Sequence, residues 1–440
     1  MLGLMNRKSQ TRNESVEKVF DFFNHALTDP ALPAFAVRLW EGSLWRSADQ
    51  EPGFTLELRH PQALRSLFWR PTELSLGEAY IYGEIDVHGD FEACFALADY
   101  LVEKSWSTAD ILRLGGKFLR LGDRRPAGMG RGAPRLRGRA HSKTRDAQAV
   151  RYHYDVSNDF YRLWLDRRMV YSCAFFHTPD ESLDEAQYRK LDYLCRKLRL
   201  KPGEKLLDIG CGWGALILHA AEKYGVEALG ITLSPAQAEL AEQRIRQADL
   251  SKRCQVQVMD YRDVSGPETF DKIVSVGMFE HVGETKLPEY FKKAHTLLKP
   301  GGVFLNHGIT LSMTGQGKSD ASFIDKYVFP DGDLLPISTS LRVAEESGFE
   351  IRDVECLREH YALTLRRWVQ NLEAKREKAI ALTNEVTYRI WKLYMSGSAH
   401  GFQTTRLGLY QSLLAKSGRR HSGLPLTRCD WFRPCPSGHF

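Results

Sequence analysis

The chain has 440 residues, 43% of them hydrophobic, which is enough for one large and one small core. A formal charge of +6 is too weak at this size to argue for nucleic acid and is compatible with an anionic lipid surface. Cys94, Cys173, Cys195, Cys211, Cys254, Cys356, Cys429 and Cys435 are scattered, without the dense spacing of a secreted disulfide framework, and read as reduced thiols.

The first residues turn polar too early for a signal-peptide core, and no later run is long and uncharged enough to cross a bilayer. A cytoplasmic protein is expected, any membrane contact being peripheral. Residues 1–121 mix extended and helical signals, LELRHPQALRSLF and LSLGEAYIYGEIDVHGD preceding the helical FEACFALADYLVEK, and suggest a small α+β domain. Residues 122–147 are rich in Gly, Pro and Arg with no apolar period, so they bury too little to repay their ordering entropy and read as a flexible basic linker. Its Arg124, Arg125, Arg131, Arg135, Arg137 and Arg139 suit lipid phosphates, at about 1 kcal/mol each near an anionic surface, and suit a solvated tether equally well.

A catalytic domain is expected over 148–416. From Lys205, short apolar runs alternate with amphipathic helices, the pattern of a Rossmann-like α/β fold with a parallel sheet. KLLDIG, EALGIT, QVQVMD, DKIVSVGM and GGVFLNHGIT are its five strands in order. The long loop 311–340, with Phe323, Tyr327 and Phe329, suits a substrate-covering insertion. A helix-rich end follows, through Trp368, Tyr388, Trp391 and Tyr394, and 417–440 reads as an irregular, disordered tail. Cys429, Cys435 and His439 resemble metal ligands, but no fourth ligand has suitable spacing.

LLDIGCGWG sets Asp208, Gly210, Gly212 and Gly214 between the first strand and a helix, where glycines permit sharp turns and the helix start attracts a carboxylate or phosphate. A dinucleotide site wants an acidic residue at the end of the second strand, and that strand ends in Thr232; a P-loop wants G-K-[ST], which does not follow. The remaining occupant is a nucleoside-linked amino acid, which describes S-adenosylmethionine. Thr232, Ser234 and Gln237 offer neutral partners for its ribose, although Ser234, Pro235 and Gln237 also form a helix capping box. Asp260 and Tyr261, after the third strand, suit an adenine pocket, or Tyr261 simply covers the sheet edge.

Together with LLDIGCGWG and GITLS, the strings YHYDVSNDFYRLWLDRRMVYSCAFF, SVGMFEHVGE, LNHGIT and REHYALTLRRW resemble the cyclopropane-fatty-acyl-phospholipid synthase family and its mycolic-acid cyclopropane synthase relatives. LSLGEAYIYGEIDVHGD resembles the amino-terminal domain of the phospholipid-acting branch. The resemblance implies that Cys173, Glu280, His307 and Tyr361 surround a bicarbonate ion beside the sulfonium methyl, that Tyr171 and Ser172 touch the cofactor, and that no metal takes part. Each residue also has a plainer reading. Cys173 is then a small buried hydrophobe, His307 a satisfied core histidine and Tyr361 a packing residue, while the adjacent Glu280 and His281 face different ways. One departure is Ser398, where many relatives carry cysteine; the tail beyond Lys416 matches nothing in the family.

The implied reaction adds a methylene unit to the double bond of an unsaturated phospholipid acyl chain. An alkene is a weak nucleophile and must be held against the methyl in a dry pocket. Drawing the acyl chain through water costs about 0.8 kcal/mol per methylene, so docking at the inner face of the membrane is expected. Similar proteins suggest a homodimer. Alternatives are a methyl or methylene branch formed on the same alkene, a lipid-binding module without chemistry, and a small-molecule N- or O-methyltransferase, which leaves the amino-terminal domain unexplained.

Overall fold

The computed structural model describes residues 16–432, apart from 70, 105, 108–135, 140, 155, 314–321 and 419–421. They form two compact units that do not follow one cut in the sequence. The first joins the described residues up to 107 with 322–328 and 384–400, and the second holds the remainder.

In the first unit β1 (Phe35–Arg38), β2 (Leu44–Arg46), β3 (Phe54–Leu58) and β4 (Ile85–Gly89) form a sheet in the order β2-β1-β3-β4. Phe54, Leu56 and Leu58 alternate inward along β3, and the Phe35 and Phe54 rings stack at 5.4 Å. Thr72 caps helix Glu73–Ile81 reciprocally with Ser75. Two later segments complete the unit: the Tyr327 hydroxyl donates to Glu78 at 2.8 Å, and Arg389 donates to Asp86 at 2.9 Å. The expected substrate-covering loop is therefore divided. Phe323 and Tyr327 are buried in this unit, while Phe329 stacks on His153 at 3.9 Å in the second.

The second unit contains β5 (Lys205–Ile209), β6 (Glu227–Thr232), β7 (Cys254–Val258), β8 (Phe270–Val276) and β9 (Leu298–Leu311), the five expected strands, all parallel. The carboxyl-terminal part is helix-rich as expected, with helices Arg358–Ala374, Arg376–Leu382 and Glu385–Gln403 carrying Trp368, Tyr388, Trp391 and Tyr394, and two unexpected strands flank them. β10 (Glu350–Cys356) and β11 (Leu407–Ala415) extend the sheet to the order β10-β11-β9-β8-β5-β6-β7, with β11 antiparallel to both its neighbours. Chain order reverses between β5 and β8, which opens a crevice at their carboxyl ends.

Two other expectations change. Helix Lys143–Tyr154 begins inside the expected linker, because Arg145 pairs with Asp331 at 2.5 Å and Asp146 with Arg262 at 2.8 Å; of Arg124, Arg125, Arg131, Arg135, Arg137 and Arg139 only the last two fall within the described residues. The described part of the tail is mostly exposed but anchored near its end: Trp431 is buried and Arg199 pairs with Asp430 at 2.6 Å, while Cys435 and His439 lie outside the described residues. The described cysteines form no disulfide, and no described helix is long and apolar enough to cross a membrane.

Candidate functional site

Gly210, Gly212 and Gly214 all adopt positive φ, at +84°, +54° and +79°. This winding lets the chain leave β5 and enter helix Ala215–Tyr224 in five residues, with the Gly210 and Cys211 amides tied to the Ile231 carbonyl. Beside the loop lies a cleft whose empty space, about 1200 Å³, includes its opening to solvent. Tyr171, Ser172, Asp208, Gly210, Gly212, Thr232, Gln237, Asp260 and Tyr261 all line it. Gly214 does not. It is the helix N-cap, and a Cβ there would lie 3.0 Å from the Ala241 Cβ, so its part is close helix packing.

Thr232 donates to the Gln237 side-chain oxygen at 2.8 Å, and Ser234 accepts from the Gln237 amide at 3.3 Å. Only the Ser234 half of the expected capping box therefore forms, the Gln237 side chain being engaged with Thr232. Asp260 does not present an unengaged carboxylate: Arg262 holds it at 2.6 and 2.7 Å and also binds Asp146. Burial raises Asp208 to about 7, opposed by the charge of Lys190, and burial lowers Lys190 to about 8.

The four residues expected to hold the anion, Cys173, Glu280, His307 and Tyr361, are all buried, and none of them lines this cleft. Cys173 directly follows Ser172 of the cleft wall, and Glu280 lies between Met278 and His281 of the same wall. The Cys173 thiol donates to the Ala174 carbonyl at 3.2 Å and approaches that of Leu357 at 3.9 Å; the Tyr361 amide donates to the same Leu357 carbonyl. Burial pushes the Cys173 thiol well up, so it is a neutral group there. The Tyr361 ring packs at 4.8 Å from Phe402 and 6.0 Å from Trp368, and Trp368 in turn lies 5.2 Å from Tyr171.

Glu280 Oε1 accepts from the Ile309 amide at 2.7 Å, whereas Oε2 is buried with no hydrogen-bond partner among the described residues. His307 Nδ1 faces the Gln411 side chain at 3.1 Å, whereas Nε2 is likewise buried and unsatisfied. Burial raises Glu280 to about 7 and, helped by the charges of Lys190 and Lys197, lowers His307 to about 3. His307 is thus neutral. Unpaired buried polar atoms are costly and suit a small polar guest. The two here lie on a carboxyl and an imidazole anchored to one strand, a pair able to accept from and donate to a small oxyanion that itself carries a hydroxyl.

Sequence reasoning missed Gln187, Lys190, Lys197 and Gln411. The Lys190 ammonium donates to the Ser172 hydroxyl at 2.8 Å, and Gln187 donates to the Ser172 carbonyl at 2.8 Å, so together they hold the cleft wall. A signal existed for the first three. Gln187, Lys190 and Lys197 lie on the same buried stripe of helix Leu183–Leu198 as Leu191, Leu194 and Leu198, and polar side chains on an apolar stripe demand partners.

Comparison with known proteins bears on the whole arrangement. The family described as mycolic acid cyclopropane synthetase matches residues 141–412, and a domain of unknown function matches 21–107. A "probable fatty acid methyltransferase" of Pseudomonas putida is 41% identical over 90% of this chain and 96% of its own. Cyclopropane mycolic acid synthase 1 of Mycobacterium tuberculosis is 39% identical over 58% of this chain and 92% of its own. Among solved structures, the cyclopropane synthase MmaA2 from Mycobacterium tuberculosis superposes with a TM-score of 0.59 at 35% identity, covering 61% of this chain and 97% of that one. Mycolic acid cyclopropane synthase CmaA1 complexed with SAH and CTAB gives 0.58 at 36% identity, with the same coverage.

Proposed function

The chain belongs to the mycolic acid cyclopropane synthetase family, and from that premise we propose that it transfers a methylene unit from S-adenosylmethionine to the double bond of an unsaturated phospholipid acyl chain, closing a cyclopropane ring. The observation that carries the reading is the pair of unsatisfied buried atoms, Glu280 Oε2 and His307 Nε2, on residues anchored beside the cleft. S-adenosylmethionine when bound supplies an electrophilic methyl, and bicarbonate when bound supplies a base for the proton that ring closure releases.

The residues divide the work. Asp208, Gly210, Gly212, Thr232, Gln237, Asp260 and Tyr261 hold the cofactor in the cleft, with Tyr171 and Ser172 closing its reacting end. Cys173, Glu280, His307 and Tyr361 hold the anion, and their burial excludes the water that would capture a carbocation. Incubation of purified protein with S-adenosylmethionine and a monounsaturated phospholipid tests this. S-adenosylhomocysteine release should accompany the gain of one CH₂ by the lipid, with ring methylene protons in its NMR spectrum; a lipid of unchanged mass would refute the reading.

A second outcome is favoured by the names of the full-length relatives, two "probable fatty acid methyltransferases" that align with 90% and 86% of this chain. On that reading the same site leaves a methyl or methylene branch, which the same spectrum distinguishes by its vinylic or methyl-doublet protons. The phospholipid substrate further implies reversible docking at the inner membrane face, with the basic segment 122–147 contributing charge. Sedimentation with anionic vesicles at low salt tests that part, and protein remaining in the supernatant would reject it.

A further inference from the structure

Glu355, Gln411 and His307 stand in one row across β10, β11 and β9: Glu355 is the register partner of Gln411, and Gln411 of His307. Residues directly opposite on neighbouring strands share a face. Helix Leu183–Leu198 presents Lys197 to this row with its side chain wholly buried. The Lys197 Nζ lies 2.7 Å from Glu355 Oε2, 3.0 Å from Gln411 Oε1 and 3.4 Å from Asp353 Oδ2, so all three of its protons have acceptors.

The chemistry of these groups leaves one arrangement. An ammonium has no lone pair and only donates, so the Gln411 atom facing Lys197 must be the carbonyl oxygen. The amide is planar, so its NH₂ is then turned to His307 Nδ1, 3.1 Å away. An NH₂ group donates, hence Nδ1 is the bare, accepting nitrogen. A neutral imidazole with a bare Nδ1 carries its proton on Nε2, the atom that the chain leaves unsatisfied.

We propose that Lys197, acting through Gln411, fixes His307 as the Nε2–H tautomer and thereby presents the buried anion site with a hydrogen-bond donor in place of a base. Burial and the two nearby ammonium groups keep the ring neutral, in agreement with this geometry. Lys197 and Gln411 are positioning residues, since their contacts end at His307. The identity of the anion rests on the function proposed above; the tautomer does not.

Selective ¹⁵N-histidine labelling, with the His307 signals assigned by their loss in His307→Asn, reads the tautomer directly. The expected spectrum has an unprotonated Nδ1 and a protonated Nε2 throughout the neutral range. Gln411→Glu keeps the shape but replaces the donor by an acceptor, so Nδ1 should gain the proton. The bicarbonate concentration for half-maximal turnover should then rise about 10- to 100-fold, as for loss of one hydrogen bond to a charged group, with S-adenosylhomocysteine affinity unchanged. Lys197→Met frees the amide to turn and should give both tautomers; if this variant fails to fold, Gln411→Glu decides alone.

A wild-type His307 protonated on Nδ1, or a Gln411→Glu spectrum with Nδ1 still bare, overturns the proposal. A spectrum as expected in a protein whose turnover ignores bicarbonate upholds the tautomer relay and removes bicarbonate from the proposed function.

Discussion

The Ile309 amide donates to Glu280 Oε1 at 2.7 Å, tying the loop after β8 to the strand that bears His307 two residues earlier. One carboxylate oxygen is thereby fixed and the other is aimed by it, so loss of charge at Glu280 can be separated from loss of geometry. Glu280→Gln is expected to slow turnover about 100-fold or more, the range for a group that manages a proton, while S-adenosylhomocysteine binds as in the wild type. Unchanged turnover would take Glu280 out of the chemistry.

The same substitution changes stability in a direction set by linkage. Burial raises Glu280 from 4.5 to about 7, so between those values the native chain holds a proton that the unfolded chain has released. Stability from this group is full below about pH 4.5 and falls as pH rises to about 7, by about 3 kcal/mol in order of magnitude. Thermal melts should therefore show Glu280→Gln more stable than wild type near pH 8 and equal to it near pH 4.5.

The glycines of the cofactor loop should fail in different ways. Gly214→Ala places a methyl 3.0 Å from the Ala241 Cβ at φ +79°, and a loss of about 1–3 kcal/mol in denaturant melts is expected. Gly212 has no atom within 4 Å of an added Cβ and lines the cleft. Gly212→Ala should cost about 1 kcal/mol of stability at its positive φ and weaken S-adenosylhomocysteine in calorimetric titration far more than Gly214→Ala does.

Lys190 holds the Ser172 hydroxyl at 2.8 Å, and Lys190→Met leaves that hydroxyl without its donor. The dissociation constant for S-adenosylhomocysteine should rise about tenfold, one charge-assisted hydrogen bond having been lost. Burial lowers Lys190 from 10.5 to about 8, so over that interval the unfolded chain binds the extra proton and wild-type stability rises with pH. Chemical denaturation across the same interval should show that rise flattened in Lys190→Met.

Arg262 lies between Asp260 and Asp146, at 2.6 and 2.8 Å, with all three side chains largely buried. Arg262→Gln leaves two neighbouring carboxylates without their shared cation, and a loss of about 3 kcal/mol is expected in urea melts at neutral pH. The deficit should shrink on acidification. Arg262 holds Asp260 below its ordinary value, and the stability that this contributes disappears as pH falls through that depressed value.

Much of this site was legible along the chain. The five parallel strands, the glycine loop after β5 and the cleft-lining Asp208, Gly210, Gly212, Thr232, Gln237, Asp260 and Tyr261 follow from short-range rules: apolar runs of strand length, glycines where φ must be positive, and polar residues at strand ends; Tyr171 and Ser172, which line the same cleft, came from the family resemblance. Gly214, expected with them, does not line the cleft; positive φ looks the same in sequence whether it serves a ligand or a neighbouring helix. The strands β10 and β11 escaped notice because their short runs stand among long helices, and the late helix segment 384–400 joins the amino-terminal unit through pairs such as Arg389 with Asp86, some 300 residues apart.

By itself, then, the sequence determined which chemistry-bearing residues exist and which sit at the ends of the parallel strands, since local pattern and turn chemistry act over a few residues. Only the tertiary structure decided which buried atoms are left without partners, and that Lys197, Gln411 and His307 form a line. The reason is physical. Hydrogen-bond satisfaction, burial and the resulting protonation states depend on what the folded chain brings within about 3 Å, and these three residues meet only where an antiparallel strand is inserted beside β9 and a helix closes over it.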